Sequence, residues 1–201
     1  MAIPLKRNTV IADPPIAKFL FSDTRMAVVW FIVRLYVGYS WLDAGWHKII
    51  DVGAKTNYIY DGSGILAFWQ RIAAIPAAPA KPLITYDWYR GFIQLLIDTN
   101  AQGVMGKVIA FGETAVGLGL ILGAFVGIAA VAGSFMILNF MLAGSASTNP
   151  VLLLLAILLI LAWKTAGYIG FDRVLLPLLG TPWKAKAPKS APRFAPTPAT
   201  A

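Results

Sequence analysis

Three ionisable side chains stand inside long apolar runs of this chain: Arg34, Asp43 and Glu113. An ionisable group in hydrocarbon is expensive, so it asks for a partner or a task. An arginine fork suits a sulfur oxyanion or a quinone carbonyl. A carboxylate nearby can accept or relay the protons that accompany quinone reduction. Asp43 and His47 are four residues apart and share one helix face, so the carboxylate can fix the imidazole tautomer and raise its pKa. Lys48 follows directly. The turn Gly144-Ser145-Ala146-Ser147-Thr148-Asn149-Pro150 offers hydroxyls and backbone amides before an apolar run, and a helix N-terminus favours anions. Each motif also has a plainer reading. The charges can form an ion pair that only joins helices. The Trp, His and Lys cluster can be an interfacial anchor. Asn149-Pro150 can be an ordinary helix start.

The elements that must position these groups follow from composition. Of 201 residues, 58% are hydrophobic and 13% charged, and mean hydropathy is +0.70. A soluble domain is nearer half apolar and a quarter charged, so the chain reads as an integral membrane protein. It is too rich in aromatics and too poor in charge for a disordered chain. With no cysteine, Fe–S ligation, disulfides, covalent c-type haem and thiol chemistry are excluded. The single histidine, His47, excludes bis-histidine haem and leaves a zinc site short of ligands. No haem, Fe–S cluster or metal is expected.

Four stretches approach the roughly 20 residues needed to span a bilayer. They run over about 26–50, 104–122, 125–143 and 151–169. The expected fold is an all-α integral membrane protein, a four-transmembrane-helix bundle occupying residues 25–183. The second and third spans are joined through Gly123–Gly127 and should form an antiparallel hairpin. Residues 1–24 read as a polar N-terminal arm, not a secretory signal, and 184–201 as a disordered basic tail rich in Ala and Pro. Between the first two spans, Ile65–Ile75 and Tyr86–Ile97 are amphipathic, too short to span and rich in aromatics beside charges. They suit helices lying in the interface plane, separated by Pro76–Pro82.

Four spans place both termini on one side. The tails hold ten Lys and Arg residues and the opposite side six, over a longer segment. The positive-inside rule then makes both termini cytoplasmic in a multi-pass cell-membrane protein. The net charge of +8 belongs mostly to those tails, which points to a membrane surface rather than nucleic acid.

At a rise of about 1.5 Å per residue, Arg34 lies about 12 Å above the cytoplasmic end of the first span, and Glu113 about 14 Å below the outer end of the second. In a core of about 30 Å these levels nearly meet. An Arg34–Glu113 pair is expected, with Asn139 of the third span in the same layer, as a quinone or proton site. Asp43, His47, Lys48, Ser147, Thr148 and Asn149 are the candidates for substrate-anion contact near the outer face. The glycines of the second span, with Gly119 and Gly123 at small-xxx-small spacing, read as helix packing. They form no phosphate loop, because no lysine–hydroxyl pair follows them. An aromatic belt accounts for most of the seven tryptophans.

The run Arg34-Leu35-Tyr36-Val37-Gly38 through Gly45-Trp46-His47-Lys48 resembles the first-helix signature of the DoxX family of small membrane proteins. The runs Ala110–Gly117, Ser147–Pro150 and Ala162–Tyr168 fit the same family, as do Asp172-Arg173 and Leu179–Trp183. The inserted segment between the first two spans is similar to the DoxD branch. The resemblance covers about residues 25–183. It implies a four-helix membrane subunit like the large subunit of thiosulfate:quinone oxidoreductase. That enzyme joins two thiosulfates into tetrathionate, passes two electrons to quinone and has a small partner subunit. The alternative implied by relatives is a non-catalytic accessory or assembly subunit of a respiratory or redox-defence complex. A transporter fits less well, for no inverted repeat or broken helix is visible.

Overall fold

The computed structural model describes residues 13–50 and 57–181, and these residues contain helices and no strand. A short helix, α1 (Pro15–Ser22), and a 3₁₀ turn (Thr24–Met26) lead into α2 (Ala27–Ile50). Two amphipathic helices follow, α3 (Ser63–Ala73) and α4 (Asp87–Asp98). Next come α5 (Gln102–Leu122), α6 (Val126–Leu142), α7 (Asn149–Leu161), α8 (Trp163–Gly167) and α9 (Asp172–Leu178). Two helical stretches are long and apolar enough to cross a membrane: Thr24–Ile50, 27 residues, and Gln102–Leu122, 21 residues. The apolar helices α6 and α7 are shorter.

The helices α2 and α5 run antiparallel and pack along most of their length. Small residues allow it. A Cβ on Gly117 would lie 2.5 Å from the backbone nitrogen of Leu42, and one on Gly45 would lie 2.6 Å from that of Thr114. Gly38 meets Leu120 and Ile121 in the same seam. Gly119, by contrast, faces α6, where a Cβ would lie 3.3 Å from that of Ala129. Gly123 ends α5 in the left-handed region at φ 67°, which glycine adopts without steric cost.

The α5–α6 hairpin is tight, as its glycines suggest, but a distant residue holds it. The buried Asp172 carboxylate, at the start of α9, accepts from Phe125 N at 2.7 Å and Val126 N at 2.9 Å. It satisfies two of the free amides at the start of α6 and puts negative charge at the positive end of that helix.

Two apolar cores result. One joins Trp30, Val37 and Trp41 of α2 to Val116 and Leu120 of α5, Ile137 of α6 and Leu159 of α7. The other lies under α3 and α4 and contains Ile65, Trp69, Ile72, Ile84, Tyr89, Ile93 and Ala143. Outside, exposed apolar side chains recur at helical spacing: Val28, Ile32, Tyr36 and Tyr39 on α2; Val104, Val108 and Phe111 on α5; Ile128, Val131, Phe135 and Leu138 on α6; Val151, Leu154 and Leu161 on α7. The charged groups Arg34, Glu113 and Asp172 are buried.

Two features differ from expectation. The last apolar run, 151–169, is not one helix: it breaks at Ala162 (φ −93°, ψ 13°), after which α8 turns to pack on α2, α6 and α1. Part of the N-terminal arm is helical and docked. Phe21 stacks on Trp30 with ring centroids 5.8 Å apart, Trp30 Nε1 donates to Leu20 O, and the Thr165 hydroxyl donates to Phe21 O. The tail at 184–201 lies outside the described residues, as do Lys6, Arg7 and Lys55.

Candidate functional site

Glu113 sits on the α5 face that meets the last turn of α2, and it is almost fully buried. Its partner is Lys48, whose Nζ lies 2.6 Å from Glu113 Oε2. The ammonium also reaches Ala44 O at 3.3 Å and sits 5.7 Å from the Tyr58 ring centroid. The Lys48 side chain keeps 24% of its surface, so the pair is buried at the carboxylate end and open at the ammonium end.

This pair forms the polar end of a cleft of about 760 Å³. The walls are apolar and come from four helices: Phe68 and Trp69 of α3, Phe92 and Ile93 of α4, Met105 and Ile109 of α5, Met136 and Phe140 of α6. Tyr89 and Asn139 sit in one wall, where the Tyr89 hydroxyl donates to Asn139 O at 2.9 Å and ties α4 to α6. Ser147, Thr148 and Asn149 line the cleft where the chain enters α7. A smaller cavity of about 320 Å³, lined by Arg71, Leu83 and Gly144, shares Phe68, Ile72, Ala143 and Ser145 with it.

Burial pushes the Tyr58 phenol above its ordinary value, the Glu113 carboxylate adds to that, and Arg71 opposes it. Burial alone pushes Tyr89 up. Both phenols therefore stay protonated donors well into the alkaline range.

Glu113, Asn139, Lys48, Ser147, Thr148 and Asn149 thus line one cleft, whereas the sequence suggested two places, an interior layer for Glu113 and Asn139 and an outer-face anion site for the others. Arg34 does not line it. The expected Arg34–Glu113 pair does not form, because α2 is shifted along α5. Arg34 lies opposite Gly123, ten residues or about 15 Å from Glu113. Matching depths from span ends assumed flush ends, whereas the first two turns of α2 extend beyond α5 and pack with α1 and α8. There Arg34 Nη2 donates to Ile169 O at 2.7 Å, its guanidinium lies 5.3 Å from the Phe31 ring centroid, and Asp172 supplies the nearby negative charge. Arg34 is a clasp between α2, the hairpin and the segment before α9. Asp43 and His47 pair with each other, Nδ1 to Oδ1 at 3.5 Å, on the exposed face of α2 and outside the cleft.

Sequence reasoning missed Tyr58, Trp69 and Tyr89 as site residues. Their signal was the amphipathic character of the segment between the first two apolar runs, read as interface anchoring alone.

The walls are apolar and aromatic, and an ammonium donor with a carboxylate beside it lines the same cleft, groups that could hold a flat ring bearing a carbonyl. No family model, curated protein or solved structure matches the chain.

Proposed function

We propose that this protein is a four-span membrane subunit of a quinone-linked oxidoreductase of the thiosulfate:quinone type. The observation that carries the quinone reading is the apolar cleft ending in the Lys48–Glu113 pair. The bilayer reading draws on the exposed apolar residues of α2, α5, α6 and α7, together with the burial of Arg34, Glu113 and Asp172. In this reading α7 and α8 together make the fourth span, and α3 and α4 lie in the outer interface.

Bound quinone accepts two electrons and two protons to become quinol. Lys48 has three N–H donors; one is used by Glu113, and another can point at a ring oxygen. As charge grows on that oxygen, the ammonium, held in place by Glu113, would stabilise it as a preorganised donor. Once Lys48 has given a proton to the ring oxygen, Glu113 could relay a replacement proton to the lysine. Thiosulfate is the proposed electron source: two thiosulfates join through a new S–S bond as tetrathionate and release two electrons. Arg71 and Ser145, lining the adjoining cavity, suit such an anion, and Lys48, Ser147 and Thr148 offer donors beside it.

The test is binding and turnover in reconstituted vesicles. Quinone should quench the tryptophan fluorescence of the chain, since Trp69 lines the cleft, and Lys48→Met should weaken that quenching at least tenfold. With the partner subunit present, thiosulfate should reduce quinone. Quenching unchanged by Lys48→Met would remove the site assignment.

A second reading, an accessory subunit of a larger respiratory complex, is favoured by one fact: with no cysteine and one histidine, the chain carries few ligands for a redox centre of its own. It predicts co-purification with haem- or metal-bearing chains and no thiosulfate-dependent turnover.

A further inference from the structure

The cleft is not walled on every side. Val108 of α5, Phe135 of α6 and Phe92 of α4 all line it, yet they remain 55%, 68% and 42% exposed. All three are apolar, and they come from three different helices. Val108 and Phe135 lie within about 10 Å of the α5 N-terminus and the α6 C-terminus, which form one end of the hairpin. In the bilayer reading this opening, between α4, α5 and α6, faces hydrocarbon. The polar residues Lys48, Ser147, Thr148 and Asn149 line the cleft as well, so the apolar mouth opens into a space that also holds polar groups.

Volume gives the second argument. About 760 Å³ lies within the range of pockets that enclose a drug-sized ligand. It can take a quinone ring and the first part of its chain, not a long polyprenyl tail. The remainder must leave through an apolar opening.

We propose that the gap between Val108, Phe135 and Phe92 is a lateral portal, through which a polyprenyl quinone enters from the bilayer and along which its tail lies when the ring is at Lys48–Glu113. This rests on the quinone reading and adds the route and the part of the ligand that the mouth recognises. The Tyr89–Asn139 hydrogen bond closes one side of the portal by holding α4 against α6. The tail contributes affinity by burying apolar surface at the mouth, so a tailless quinone should bind more weakly.

The absence of native cysteine makes a clean test possible. Single variants Val108→Cys and Phe135→Cys are each modified with a bulky methanethiosulfonate reagent and reconstituted in vesicles. Ile128→Cys, on exposed α6 surface away from the cleft, is the control. Tryptophan quenching gives the association rate of a long-tailed quinone. Modification at 108 or 135 should slow association at least tenfold, dithiothreitol should restore it, and the control should not change. In the unmodified protein, a tailless quinone should bind at least tenfold more weakly than the tailed one. Binding at a rate indifferent to both adducts overturns the portal while leaving the quinone cleft standing. Equal affinity for tailed and tailless quinones overturns the tail's place in the mouth. No quinone binding by the unmodified protein overturns the cleft reading and the portal with it.

Discussion

Lys48 and Glu113 differ in what surrounds them, and that difference decides how each responds to mutation. The carboxylate is buried among apolar groups, and the ammonium is partly exposed. Removing the lysine strands a buried charge; removing the carboxylate leaves an ammonium that can reach water. Breaking a buried pair costs about 3–5 kcal/mol, and partial exposure of Lys48 puts this pair at or below the low end. Lys48→Met should therefore lower the thermal midpoint in detergent more than Glu113→Gln, and Lys48→Met with Glu113→Leu should recover much of the loss. A double variant no more stable than Lys48→Met would show that the charge itself is not the cost. The two buried phenols give a pH signature. Their folded-state pKa values are raised above the free value, so the stability they contribute is complete below about pH 10 and is lost as pH rises through the raised values. Tyr58→Phe and Tyr89→Phe should each make the alkaline fall in melting temperature shallower, and an unchanged profile would count against burial as its cause. At this scale the sequence marked Glu113 as a buried charge needing a partner, but the partner it suggested was Arg34. Lys48 sat in a cluster that read equally well as an interfacial anchor, and only the sliding of α2 along α5 decides between the two cations.

At the scale of elements, apolar length and glycine punctuation located α2, α5 and α6 to within two residues. The two amphipathic stretches became α3 and α4. Two things were not legible. Ala162 is a good helix former inside an apolar run, so nothing local marks the break between α7 and α8; tertiary packing of Trp163–Gly167 imposes it. Similarly, Gly119 and Gly123 do serve close packing, against α6 and the segment before α9, but their spacing did not reveal that the α2–α5 seam uses Gly38, Gly45 and Gly117. Periodicity within one helix cannot say which neighbour each face meets. The seam makes a sharp prediction. Gly117→Val would drive its side chain into the Leu42 backbone, which cannot swing aside. Overpacking of this kind costs about 1–3 kcal/mol or more. It should lower the melting temperature clearly, whereas Gly91→Val, at a position with open space around it, should not act by overpacking. Equal loss in the two variants would mean that the close approach of α2 and α5 is not needed.

For the whole molecule, composition implied apolar helices, and among the described residues these carry exposed apolar side chains while Arg34, Glu113 and Asp172 are buried. What composition could not supply is the second core. The helices α3 and α4 close over α5 and α6, and the cleft exists only because both layers are present. About a third of its lining comes from a segment that resembles a surface anchor when read alone. The two-layer design puts the Lys48–Glu113 pair and the polar residues near the start of α7 on one cleft whose other walls are mostly apolar, an arrangement that the proposed amphiphilic electron acceptor would use. The Arg34–Asp172 end is a separate polar cluster that ties the hairpin turn to α2 and α9. In the proposed reading the two ends have different roles, one for a ligand and one for the fold. A photoreactive azidoquinone in vesicles tests that division most directly. Its label should appear on peptides carrying Trp69, Met105 and Met136, be competed by unlabelled quinone and fall away in Lys48→Met. Competed labelling on peptides around Phe31, Arg34 and Ile169, unchanged in Lys48→Met, would contradict it.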